Sequence, residues 1–177
     1  MALKKRLCVT AIFACAALIF SACSKADSVK PQLNNITFVA DVSYGEEKYT
    51  LKSSVASDWT FNARVVSQGE TENMQFAISP SGACVSYGDL KFTVEDAALP
   101  RENTVQLLYA AIKAAAGENL QKDERKNCSV EGTLYTSRYT FSFSPSGLPL
   151  SLVIPDYGYK AVFRNVSVDK NSVSGII

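Results

Sequence analysis

From residue 36 onward the side chains of the chain alternate in character. Ile36, Phe38, Ala40 and Val42 interleave with Thr37, Val39, Asp41 and Ser43. Tyr49, Leu51 and Val55 keep the same even spacing. Trp59, Phe61, Ala63 and Val65 alternate with Thr60, Asn62 and Arg64, and Met74, Phe76 and Ile78 repeat the pattern up to Ser79-Pro80-Ser81-Gly82. A period of two with turn residues between the runs predicts antiparallel strands with one buried face. The connections Gly45-Glu46-Glu47, Ser57-Asp58 and Gln68-Gly69-Glu70 are short, which predicts a meander of hairpins. Runs at Cys84–Tyr87 and Leu90–Val94 flank Gly88-Asp89.

The period then changes. Between Asn103 and Ala116, Val105, Leu108, Ile112 and Ala115 recur at steps of three and four, one face of a helix. Asn103 with Gln106 three residues on has the form of a capping box, and Gly117 is a stop signal. The charged stretch Glu118 to Asn127 reads as solvated. Alternation returns at Ser129 and continues through Tyr139, Phe141 and Phe143, through Leu148 to Ile154, and through Tyr159 to Val168. The expected fold is mainly β (α+β): a large curved antiparallel sheet, a half-barrel of nine to ten strands, with one helix packed on its concave face. So short a helix covers only part of that face. Either side chains or a ligand must fill the rest.

The first residues follow another pattern. Lys4, Lys5 and Arg6 precede an apolar run from Leu7 to Phe20, 14 residues long and too short to span a bilayer as a permanent helix. Small residues follow, then Cys23. A basic start, a short apolar middle and a small-residue end make a secretory signal over 1–22. Phe20-Ser21-Ala22-Cys23 resembles the lipobox of bacterial lipoproteins. The resemblance implies a covalent diacylglycerol on Cys23 and cleavage before it. The alternative is an ordinary signal that leaves Cys23 as a thiol. The expected organisation is a signal peptide over 1–22, the lipidated Cys and a polar tether over 23–34, one domain over 35–169, and a frayed tail over 170–177. A tether of that length reaches at most about 35–40 Å. The body would then sit on the outer side of the cell membrane, extracytoplasmic and lipid-anchored.

Removing 22 residues from 177 leaves 155, enough to bury a core. The signal carries three of the 18 basic residues, so the body is close to neutral against 17 acidic ones. That balance gives no reason to expect a nucleic-acid partner. No other cofactor or metal is expected. The chain has no histidine, the commonest general base and metal ligand. With no phosphate loop or nucleophile elbow either, a non-enzymatic protein is expected. Asp156-Tyr157-Gly158-Tyr159 reads as a turn. Cys84 and Cys128 either form a disulfide or stand as two half-buried thiols.

The order of elements resembles the LolA/LolB-like lipoprotein carriers and their Gram-positive, germination-lipoprotein-like relatives. The residues that carry the resemblance are Trp59-Thr-Phe-Asn-Ala-Arg-Val, Met74-Gln-Phe-Ala-Ile-Ser-Pro-Ser-Gly, Val85-Ser-Tyr-Gly-Asp-Leu, and, after the helix, Gly147-Leu-Pro-Leu-Ser-Leu-Val-Ile. The helix that precedes the first strand in those carriers has no counterpart here. The resemblance implies an open half-barrel that binds or transfers a lipid or acyl chain at the envelope, with Trp59, Phe61, Phe76, Phe141 and Phe143 lining its cavity. The alternative is a closed core, with an exposed apolar patch for an envelope or spore protein partner.

Overall fold

A computed structural model of the chain describes residues 28–66, 72–95, 99–100, 103–121 and 128–169. Cys23, the signal, the first residues of the tether and the tail from 170 lie outside them.

Besides a single 3-10 turn at Pro155–Tyr157 between the last two strands, the described residues contain twelve strands and one α-helix. In chain order they are β1 (Ser28–Val29), β2 (Ile36–Tyr44), β3 (Glu47–Val55), β4 (Phe61–Val65), β5 (Gln75–Ser79), β6 (Gly82–Tyr87), β7 (Leu90–Glu95), α1 (Thr104–Ala115), β8 (Leu120–Gln121), β9 (Cys128–Leu134), β10 (Ser137–Phe143), β11 (Pro149–Ile154) and β12 (Tyr159–Val168). Ten of them form one antiparallel sheet in the order β7-β6-β5-β4-β3-β2-β12-β11-β10-β9. Two hairpin meanders, β2 to β7 and β9 to β12, therefore meet where β12 pairs with β2, and α1 crosses between them. The edges β7 and β9 do not pair with each other, so the sheet stays open, as its expected half-barrel form requires.

The alternation in the sequence becomes burial. Ile36, Phe38, Ala40 and Val42 of β2 are buried, and so are Phe61, Ala63 and Val65 of β4 and Tyr139, Phe141 and Phe143 of β10. Two-residue turns set the register: Gly45-Glu46 between β2 and β3, and Gly88-Asp89 between β6 and β7. Gly45 and Gly88 adopt φ of 59° and 56°, the left-handed region that tight hairpins need and that costs glycine no Cβ clash.

Helix α1 begins as the sequence suggests. The Asn103 side chain accepts from the backbone N–H of Val105 at 2.9 Å and of Gln106 at 3.2 Å. The reciprocal arm of a capping box does not form. Gln106 is buried and its Oε1 accepts no hydrogen bond among the described residues. The helix is also buried more widely than one stripe. Gln106, Leu107, Tyr109 and Ala111 join Val105, Leu108, Ile112 and Ala115 inside. It touches β9 and β10 on one side of the trough and β5 on the other, which leaves few positions facing water.

Two expectations are corrected. The polar segment expected to run free to Asn34 is docked from residue 28 on. Ser28 and Val29 pair with Gln121 and Leu120, Leu33 is buried, and the Gln32 N–H donates to the Gly147 carbonyl at 2.8 Å. The stretch from Glu118 is not wholly solvated, because Leu120 is buried at 1% exposure beneath that strap. Both elements are two-residue strands, too short to carry a period.

Candidate binding surfaces

A chain of rings occupies much of the trough. Phe143 stacks on Phe141 at 4.6 Å between centroids, Phe141 on Phe163 at 5.4 Å, and Phe163 meets Phe38 edge-on at 5.1 Å. Phe38 approaches Phe61 at 6.4 Å, and Phe61 approaches Tyr109 of α1 at 5.8 Å. Offset and edge contacts at these distances are the favourable ones for aromatic quadrupoles. They run from β10 through β12, β2 and β4 to the helix, so side chains fill this part of the concave face.

Of the five residues expected to line a cavity, Phe61, Phe141 and Phe143 have 0% exposure and belong to this packed core. Phe76 is buried at 8% and borders a recess of about 150 Å³ between the sheet and the start of α1. Trp59 is half-buried at the opposite end of the helix. It lines a hollow with Val29, Pro31 and Ala116. The structure thus does not bring the five together. Cys84 and Cys128 are not bridged. The register gives the reason: Cys84 opposes Ala77 on the outer face of β5–β6, whereas Cys128 opposes buried Phe143 on the inner face.

What the sequence reading missed is the far end of the concave face. In β6–β7, Ala83 opposes Val94, Val85 opposes Phe92 and Tyr87 opposes Leu90. Ala83 and Val85 point the same way as buried Phe76, because Val85 pairs with Phe76 across β5–β6. Leu90, Phe92 and Val94 therefore lie on the inner face, yet Leu90 is 60% and Phe92 66% exposed. Tyr87 and Val94 are exposed as well. The principal contacts of helix α1 on this side are with β5, and nothing comparable to the aromatic chain covers β6 and β7 among the described residues. The open strip runs from Leu90 and Phe92 through Tyr87 and Val85 to Met74 and Phe76. There it meets the recess bordered by Leu51, Val65 and the helix start at Asn103–Val105. A contiguous apolar strip of this kind is the informative departure from a normal surface.

Among the described residues the ionisable groups with clear shifts are three tyrosines and one aspartate. Burial pushes the phenols of Tyr109 and Tyr139 above the ordinary tyrosine value, with smaller contributions from Asp58 and Glu118 respectively. Burial alone pushes Tyr159 much further. Asp58 is held below its usual value by the Thr60 N–H, which donates to its Oδ1 at 2.9 Å. No group of three or more His, Cys, Asp or Glu residues is placed to hold a metal among the described residues, and no helix among them is long and apolar enough to cross a membrane.

No protein-family model matches the chain, and no curated protein matches it. Among solved structures it is similar to the crystal structure of a LolA superfamily protein from Nitrosomonas europaea. The match is 7% identical, covers 82% of this chain and 88% of that one, and has a TM-score of 0.36.

Proposed function

We propose that this protein binds a hydrophobic ligand, a lipid or acyl chain, on the open strip of β5–β7, and that it does so at the cell envelope, held there by a lipid on Cys23. The observation that carries the reading is the exposure of Leu90 and Phe92, 60% and 66%, on the same face of the sheet that elsewhere forms the core. Covering such side chains is worth roughly 25 cal/mol per Å² of apolar area. The recess beside Phe76 and Asn103 gives a chain lying along the strip somewhere to end. The mode is an open-groove one, since the middle of the trough is occupied by rings. We read the role as binding or transfer without chemistry.

The test is photolabelling of the full-length protein in its own membrane with a diazirine-bearing palmitate. Adducts are expected on residues 74–94, and Leu90→Ser with Phe92→Ser should abolish them. Labelling that ignores those two substitutions would overturn the reading. The anchor is tested separately. Cys23→Ala should release the protein or leave it unprocessed, and unchanged association and processing would exclude the lipobox.

A second reading, a protein partner in the envelope, draws on one observation: β7 is a sheet edge whose outer backbone groups pair with no strand among the described residues. In that case a cross-linker placed at residue 92 captures a polypeptide and not the palmitate.

A further inference from the structure

The outer face of the sheet carries a second feature, unrelated to the apolar strip. The pairings define a straight row across it. Lys91 of β7 opposes Ser86, Ser86 opposes Gln75, Gln75 opposes Arg64, and Arg64 opposes Lys52 of β3. Lys52 opposes Val39, and Val39 opposes Arg164 of β12. One row thus holds four cations and no carboxylate. The next row along the strands contains Thr93, Cys84, Asn62, Ser54 and Thr37, all uncharged. The middles of the two rows, Lys52, Arg64, Gln75 and Ser86 of the first and Ser54, Asn62 and Cys84 of the second, line a concavity of about 640 Å³, and Lys91 lies beyond its rim.

Three facts single out its middle. Lys52 and Arg64 are directly opposite each other, and like charges in that position destabilise a sheet unless an anion lies between them. Neither has an ion-pair partner among the described residues; Arg64 donates to the neutral Asn73 Oδ1. By contrast, Arg164 at the end of the row is neutralised, with Nη2 2.5 Å from Asp41 Oδ1. The chain supplies a carboxylate where the row ends and none where its charges crowd. With 18 basic and 17 acidic residues overall, this separation is local and not a by-product of net charge.

We propose that this concavity is a binding site for a soluble, extended phosphate-bearing anion, seated with one phosphate between Lys52 and Arg64. Strands about 4.8 Å apart put Lys91 roughly 14 Å beyond Arg64, within reach of a further phosphate on the same chain. Gln75 and Ser86 fill the interval with neutral hydrogen-bonding groups. A local hollow suits a linear anion better than a flat bilayer, because Lys52 and Arg64 both line it. Guanidinium and ammonium groups donate charge-assisted bonds to phosphate oxygens, among the stronger hydrogen bonds available to a protein.

The experiment is calorimetric titration of the full-length protein with linear tripolyphosphate at low and high salt. Saturable one-to-one binding that weakens with salt is expected. Lys52→Gln and Arg64→Gln should each reduce affinity about tenfold, the loss expected for a hydrogen bond to a charged group. Lys48→Gln and Lys160→Gln, beside a separate hollow on the same face, should leave it unchanged. Equal losses in all four variants, or no saturable binding, would overturn the site. So would binding to vesicles of anionic phospholipid without binding to tripolyphosphate, since the occupant would then be a membrane.

Discussion

The hydroxyl of Tyr159 donates to the backbone carbonyl of Thr104 at 3.2 Å, joining β12 to the first turn of α1 across 55 residues of sequence. The ring is buried at 1% exposure, so this hydroxyl fixes the helix start where the recess beside Asn103 begins. Tyr159→Phe should cost about 1 kcal/mol at neutral pH, the net worth of a typical hydrogen bond. The sign reverses in alkali. The folded pKa is raised above the ordinary tyrosine value of 10.0, so the phenol's contribution is whole below pH 10. Above it the unfolded state ionises and the folded state does not, and stability falls by up to about 1.4 kcal/mol per pH unit. The variant lacks that loss. Its unfolding free energy should therefore start below the parent's and cross it roughly one unit above pH 10 in denaturant titrations. Parallel curves would show that Tyr159 is not what the alkaline range reports.

Gly147 holds the docked segment before β2. Its φ is 84°, and a Cβ there would lie 2.6 Å from the Lys30 carbonyl and 3.2 Å from Val29 Cγ1. Gly147→Val combines left-handed strain with that collision, so residues 28–34 should lift from the body. Trp59, the single tryptophan of the chain, shares a hollow with Val29 and Pro31 and is the natural reporter. A red shift of its emission is expected in the variant, along with new proteolytic cleavage between residues 28 and 34. An unshifted spectrum would mean that the segment tolerates the side chain in place.

How much of this was legible depended on what decides each feature. The strands and helix were written in local periods, and Asn103 announced the helix start. The Val29–Leu120 pairing was hidden, because two-residue strands have no period to detect. The most consequential miss was the open strip. Leu90, Phe92 and Val94 alternate with Lys91 and Thr93 just as Phe61, Ala63 and Val65 alternate with Asn62 and Arg64. One set is exposed and the other buried because α1 lies over β4 and β5 and stops short of β7. Which part of a sheet a helix covers is a property of topology, not of the strand being covered. Phe61, Phe141 and Phe143, expected to face a ligand, belong to the covered part, whereas Phe76 borders the open strip.

Exposure also separates function from stability. At 66% exposure Phe92 contributes little to the core, so Phe92→Ser should leave the melting temperature within about 1–2 °C of the parent, in line with surface substitutions generally. Phe141→Ser, at 0% exposure in the aromatic chain, should unfold the protein or lower its melting temperature by many degrees. Binding of an apolar fluorescent probe should fall in Phe92→Ser while the fold persists. A Phe92→Ser protein that melts as early as a core variant would mean that the strip is covered in solution.

Gly132 in β9 lies opposite Tyr139 in β10, and a Cβ added there would sit 2.7 Å from the Tyr139 ring. The ring covers the glycine, so both are required together: the phenyl group shields backbone that has no side chain of its own, and the missing side chain leaves room for the ring. Gly132→Ala alone should destabilise by about 1–3 kcal/mol, as overpacking does. In a Tyr139→Ala background the same change meets no ring. It should then be neutral or stabilising by up to about 1 kcal/mol, because glycine within a strand loses more backbone entropy than alanine. The double-mutant cycle by urea denaturation should therefore show a non-zero coupling between the two positions, the cost of Gly132→Ala vanishing in the Tyr139→Ala background. An equal cost in both backgrounds would place the clash elsewhere than on Tyr139.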